Sequence, residues 1–87
     1  MGKKIIYVVT IEEIADYRIY PHTPVAFSKK EDARKYLKNT YDKVDAEFNS
    51  DLIREFEEDF ANIYDDNCFI CDHWTISIDE VELDATL

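Results

Sequence analysis

"NSDLIREFEEDFANIYDD", Asn49 to Asp66, is the stretch on which the fold turns. Leu52, Ile53, Phe56, Phe60, Ile63 and Tyr64 recur at spacings of three and four, the stripe of an amphipathic helix. Asp51, Glu55, Glu58, Asp59 and Asn62 fall on the opposite face, with Glu57 at the flank. The run Asn49, Ser50, Asp51 carries capping residues, which predicts a break from the preceding segment and the start of a second helix. Asp51 suits the positive end of the helix dipole, whereas Asp65 and Asp66 oppose its other end by about 0.3 to 1 kcal/mol each, so that end is expected to fray.

Upstream, Ser28 opens the clearest helical signal of the chain. "SKKE" has the form of a capping box, Ser28 as N-cap and Glu31 three residues on. Ala33, Tyr36, Leu37, Tyr41, Val44 and Phe48 then form an apolar stripe, its flanks covered by the stems of Lys30, Arg34, Lys35 and Lys38.

Around these helices lie extended segments. "KKIIYVVTI", Lys3 to Ile11, has apolar or aromatic residues on both alternating sets, the pattern of a strand inside a sheet. "EEIAD" reads as a connection. "YRIYPHTPVAF", Tyr17 to Phe27, is extended but broken by Pro21 and Pro24, which places it at an edge. "HWTISIDEVEL" closes the chain with Trp74, Ile76 and Ile78 on one parity and Val81 and Leu83 on the other, so a β-bulge is expected at Asp79 and Glu80. The expected architecture is a single α+β domain over residues 1–87 in the order β-β-α-α-β. Two helices pack on one face of a small antiparallel sheet of three strands, or four if "CFIC" adds one, with the last strand beside the first.

Eighty-seven residues with one Gly and two Pro leave no room for a linker, and so short a chain has a small core in which aromatic area carries much of the energy. No apolar run suits a signal peptide or a membrane span, which points to the cytoplasm and to cysteines held as thiols. Charge is unevenly placed: residues 1–54 sum to +1 and residues 55–87, without a single Lys or Arg, to −11. Such a field repels phosphates and anionic lipid and favours basic protein surfaces, so direct nucleic-acid and membrane binding are set aside.

The chemistry-bearing motif is "DDNCFICDHW", Asp65 to Trp74. A reactive thiol needs a helix N-terminus or nearby cations; Cys68 follows the second helix and sits among acids. Zinc is the alternative, since Cys68, Cys71, His73 and the distant His22 make four N or S ligands. An extended "CFIC" would point its cysteines to opposite faces and prevent that, leaving them as packing residues. Walker, dinucleotide, H-E-x-x-H and nucleophile-elbow motifs are absent, and adjacent acids such as Glu12 and Glu13 read as solvated surface rather than an acid-base pair. An EF-hand loop is unsupported for want of its glycine and terminal Glu. No cofactor and no catalytic residue are expected.

What remains is a surface. Asp51, Glu55, Glu58, Asp59, Asp65 and Asp66 along the second helix, continued by Asp72, Asp79, Glu80, Glu82 and Asp84, would present a row of carboxylates resembling phosphates, with Tyr64 as aromatic anchor. Tyr17, Tyr20 and Tyr41 are further candidates for exposure. The frame "IIYVVT", "FSKKEDARKYL" and "WTISIDEVELD", Ile5–Thr10, Phe27–Leu37 and Trp74–Asp84, resembles a loose group of small β-β-α-β proteins of bacteriophages and bacterial mobile elements. This chain departs from the frame by its acidic segment, Asp45 to Asp66. The resemblance implies a small accessory protein and supplies no catalytic residues. The functional expectation is therefore a non-enzymatic acidic domain that binds a basic, nucleic-acid-binding protein and inhibits it by charge mimicry. A small zinc protein, and an acidic domain with only a structural or homodimeric role, are the alternatives.

Overall fold

The computed structural model of the chain describes residues 3–48, 50–66 and 72–84. It contains one helix and a six-stranded, wholly antiparallel sheet. In chain order the elements are β1 (Lys3–Ala15), β2 (Arg18–Tyr20), β3 (Val25–Phe27), α1 (Lys30–Glu47), β4 (Ile53–Glu57), β5 (Phe60–Tyr64) and β6 (Asp72–Asp84). Across the sheet the order is β2-β1-β6-β5-β4, with β3 also pairing β1.

The expected three- or four-stranded sheet under two helices is thus corrected, and the error lies in Asn49 to Asp66. In place of a helix, β4 and β5 form a hairpin about Glu58 and Asp59, with Glu57 opposite Phe60 and Ile53 opposite Tyr64. Spacings of three and four fitted the apolar residues, but the burial follows a period of two. Ala61 and Ile63 are both fully buried, and Phe60, Asn62 and Tyr64 point the other way. Pairing with β6, which puts Ile63 opposite Trp74 and Ala61 opposite Ile76, supplies the burial that overrides the helix-forming composition of a Glu-rich segment.

β1 and β6 are the backbone of the domain. Their thirteen residues each pair without interruption from Lys3↔Asp84 to Ala15↔Asp72. At about 3.4 Å per residue, this ribbon accounts for most of the 50 Å length of a molecule only 22 by 16 Å in its other dimensions. Two expectations fail here. "EEIA" continues β1 rather than connecting it onward, and no bulge interrupts Asp79 and Glu80. The switch of apolar parity in β6 has another cause: Ile76 and Ile78 face the helix, whereas Val81, opposite Ile6, faces away from it. The pairing of first and last strands and the edge position of the proline-marked segment agree with the sequence reading; Pro21 and Pro24 lie between the three-residue strands β2 and β3.

β1 turns into β2 through Asp16 and Tyr17, both with positive φ, 52° and 65°. Two left-handed residues match the right-handed twist of a two-residue hairpin, a position usually given to Asn-Gly. A tyrosine there carries a steric cost that glycine would not.

α1 lies across one face of the sheet. Ala33 and Leu37 are fully buried with Val9, Ala61, Ile63, Trp74 and Ile76, and Tyr36, Tyr41, Val44 and Phe48 pack around them, the stripe expected from sequence. The helix starts one residue later than the capping box implied. Lys29 is its N-cap and no side chain caps it, the first turn relying on Glu31 and Asp32 for favourable charge. Its last turn has no basic residue, but Arg54 reaches over from β4. That guanidinium donates to the Leu52 carbonyl at 2.8 Å and the Phe48 carbonyl at 3.2 Å, and pairs with the Asp45 carboxylate.

Candidate partner-binding face

The helix covers one face of the sheet, and among the described residues nothing covers the other. Strand register lays that open face out in rows. Ile19, Ile14, His73, Tyr64 and Ile53 form one row; Glu12, Thr75, Asn62 and Glu55 the next; Thr10, Ser77, Phe60 and Glu57 the third. Beyond β5, Val8 faces Asp79, and Ile6 faces Val81.

The polar centre of this face is internally bonded. Thr75 Oγ1 donates to Asn62 Oδ1 at 2.8 Å, and Asn62 Nδ2 donates to Glu55 Oε1 at 3.3 Å. The Thr75 hydroxyl also lies 2.8 Å from His73 Nε2, within hydrogen-bond distance. Thr10 and Ser77 share a hydrogen bond of 3.1 Å. These bonds hold half-buried side chains in place and leave Glu12 and Glu57 exposed at the ends of their rows.

The cations divide by face, whereas acids occur on both, Glu13, Asp72 and Glu80 having helix-side parity and α1 carrying five more. Glu12, Glu55, Glu57 and Asp79 lie on the open face, interleaved with Val8, Ile14, Phe60 and Tyr64. Lys4, at the far end of β1, is the one described Lys or Arg side chain whose register puts it there. The others belong to the helix side. Arg18 lies opposite Ala15, Arg54 clamps the end of α1, and the remaining cations are on α1 or at its start.

The acidic residues singled out from sequence do not form one row. Glu55 and Tyr64 sit on the open face. Glu58 and Asp59 form the turn of the hairpin and are engaged from the helix: Arg34 Nε donates to Asp59 Oδ1 at 2.7 Å, Arg34 lies 3.1 Å from Glu58, and Lys30 lies 3.8 Å from Asp59. The hydrogen bond from Arg34 holds the Asp59 carboxyl below the usual carboxylate range, against a smaller opposing effect of burial. Asp51 is exposed in the turn before β4. Asp65 follows β5, its amide donating to the Asp72 carbonyl at 3.0 Å; Asp66 is exposed beside it; and Asp72 has helix-side parity opposite Ala15. Asp79, named from sequence as part of the carboxylate row, lies on the open face opposite Val8; Glu12, Glu57 and Phe60 were not singled out for it. For Phe60 the signal, strict alternation in "FANIY", was present but masked by the helical spacing.

Of the metal candidates, Cys68 and Cys71 lie outside the described residues, as does "CFIC". His22 and His73 are held apart. His22 Nε2 is 2.7 Å from Glu13 Oε1 on the helix side, while His73 is bonded to Thr75 on the open side. Among the described residues no three His, Cys, Asp or Glu converge. The Glu13–His22 pair borders a cleft of about 330 Å³ walled by Tyr36, Val44, Phe48 and Trp74. Its aliphatic hydroxyl, Thr40, is bonded to neither member of the pair among the described residues, so the cleft shows no nucleophile with its base. Tyr17 and Tyr20 are exposed, at 70% and 42%, but Tyr41 packs on Phe56 and Trp74, and burial, with the Asp45 charge second, pushes its phenol up.

No helix among the described residues is long and apolar enough to cross a membrane. Comparison with protein-family models, with curated proteins and with solved structures finds no significant match in any of the three.

Proposed function

We propose that this is a non-catalytic acidic domain that binds a protein partner through the open face of its sheet, the partner presenting a basic surface of the kind that binds nucleic acid. The observation that carries the reading is the division of the cations by face. A soluble surface ordinarily mixes both signs, yet the open face sets four carboxylates, Glu12, Glu55, Glu57 and Asp79, around apolar and aromatic side chains, while every described Lys or Arg side chain but that of Lys4 stays with the helix. Carboxylates spread over the sheet offer a basic protein the attraction that a nucleic acid backbone would. Phe60, Tyr64, Ile14 and Val8 supply apolar contact area between them.

In this reading the domain acts as an inhibitor, of phage or mobile-element type, that occupies the nucleic-acid site of its target. The test is capture of bacterial lysate proteins on the tagged chain with and without excess duplex DNA. A nucleic-acid-binding protein that is retained and then displaced by the duplex is expected. A retained protein indifferent to DNA would remove the mimicry and leave the acidic interface; no retained basic protein would overturn both.

A further inference from the structure

β4 ends the sheet, and among the described residues no strand pairs with its outer edge. An edge of this kind offers a row of backbone donors and acceptors to any extended chain that can lie beside it. Its side chains decide which chain can. On the open face β4 presents Glu55 and Glu57; on the helix face it presents Arg54 and Phe56. Phe56 is 43% exposed, rests on the Tyr41 ring at 4.9 Å, and has Lys38 Nζ 5.7 Å from its centroid.

A second copy is a poor occupant. Antiparallel self-pairing would bring the Glu55 and Glu57 of each chain against those of the other, and like charges on neighbouring strands repel. The opposite edge is no better suited, with two three-residue strands and two prolines between them.

We propose that β4 takes an extended segment of the basic partner as a further strand, one whose residues alternate between Lys or Arg beside Glu55 and Glu57 and apolar or aromatic residues beside Phe56. The alternation follows from the pleat: successive side chains of an added strand point to opposite faces. Cations are matched on the open face by Glu55 and Glu57. On the helix face Lys38 and Arg54 are already paired with Asp42 and Asp45, and the exposed part of Phe56 selects an apolar residue that packs on it. This inference rests on the proposed function and adds the form of the partner.

The test uses the whole chain and labelled peptides of about seven residues alternating Lys and Val, with binding followed by fluorescence anisotropy. Two N-methylated versions block alternate sets of amides, of which only one set faces β4 in a paired strand. The peptide is expected to bind; methylation of one set weakens binding about tenfold or more, and of the other about twofold at most. A sequence-scrambled peptide of the same composition should bind more weakly. Glu55→Lys with Glu57→Lys, both exposed, should abolish binding with the circular dichroism unchanged. Equal binding by both methylated peptides would overturn strand addition while leaving an acidic binding surface in place. No peptide binding at all, or a dimer that forms through β4 and is lost on charge reversal, would overturn the proposal.

Discussion

Arg34 Nε donates to Asp59 Oδ1 at 2.7 Å, joining the first turns of α1 to the turn of the β4–β5 hairpin. Glu58 adds a second contact to the same guanidinium. The two acids central to the sequence reading are therefore structural ties, and the contact sets where the hairpin sits beneath the helix.

The tie should be visible on titration. The Asp59 carboxyl lies below its ordinary value in the folded chain because of Arg34. A lowered folded value contributes stability that is present above the unfolded value of about 4 and is lost as the pH falls from there through the folded value. Carboxyl NMR of Arg34→Gln should show Asp59 titrating closer to its ordinary range. The loss of stability at pH 7 should be small, because both side chains are more than a third exposed. An unchanged Asp59 midpoint would contradict the assignment.

Arg54 should matter more. It is 22% exposed and gives α1 the C-terminal cation that the helix's own last turn lacks. Arg54→Met keeps much of the stem but removes charged hydrogen bonds to the Phe48 and Leu52 carbonyls. Urea denaturation should show a loss of about 2 kcal/mol. A change within about 0.5 kcal/mol, as for an ordinary surface substitution, would show that the clamp is idle.

The β1–β2 turn predicts a gain. Tyr17 holds a φ of 65° and is 70% exposed, so Tyr17→Gly relieves the steric cost at a position that buries little of its side chain. The variant should be more stable by about 0.5 to 1 kcal/mol, the left-handed penalty offset in part by the greater unfolded-state freedom of glycine. Tyr17→Val, branched at Cβ, should be less stable than wild type. The order of the two melting temperatures is the readout.

Leu37 is fully buried, and the core cluster around it is small. Leu37→Ala should cost about 2 to 5 kcal/mol, a large share of the roughly 5 to 15 kcal/mol available to a domain. Thermal unfolding should therefore shift strongly or lose cooperativity. A mild effect would mean that the helix is not what closes the core.

What could be read from the residues follows from how strongly one pattern competed with another. In α1, the spacing from Ala33 to Phe48 admits only a helix, and β1 alternates on both faces as a central strand must. Leu52 to Tyr64 satisfied helical spacing by coincidence, since Phe56 and Phe60 flank the hairpin turn and lie on opposite faces of the sheet. Nothing local broke the tie. The turns are Glu58-Asp59 and Asp16-Tyr17, without the glycine that announces a hairpin, and the burial of Ala61 and Ile63 depends on β6, distant in sequence. The acidic character of the second half was plain from composition. Its division into an open-face set and a helix-tied set required the register, because one residue of slip exchanges the faces.

Two variants that remove the same charge from different places decide whether the open face is the binding face. One is Glu12→Gln, Glu55→Gln, Glu57→Gln and Asp79→Asn on the open face; the other is Glu31→Gln, Asp32→Asn, Asp42→Asn and Glu47→Gln on the helix. Each is used in place of wild type to capture basic proteins from lysate at matched ionic strength, after circular dichroism shows both folded. Proteins retained by wild type should persist with the helix variant and vanish with the open-face variant. Equal loss from both would show that net charge alone attracts them, and retention by the open-face variant would remove the sheet as the binding face.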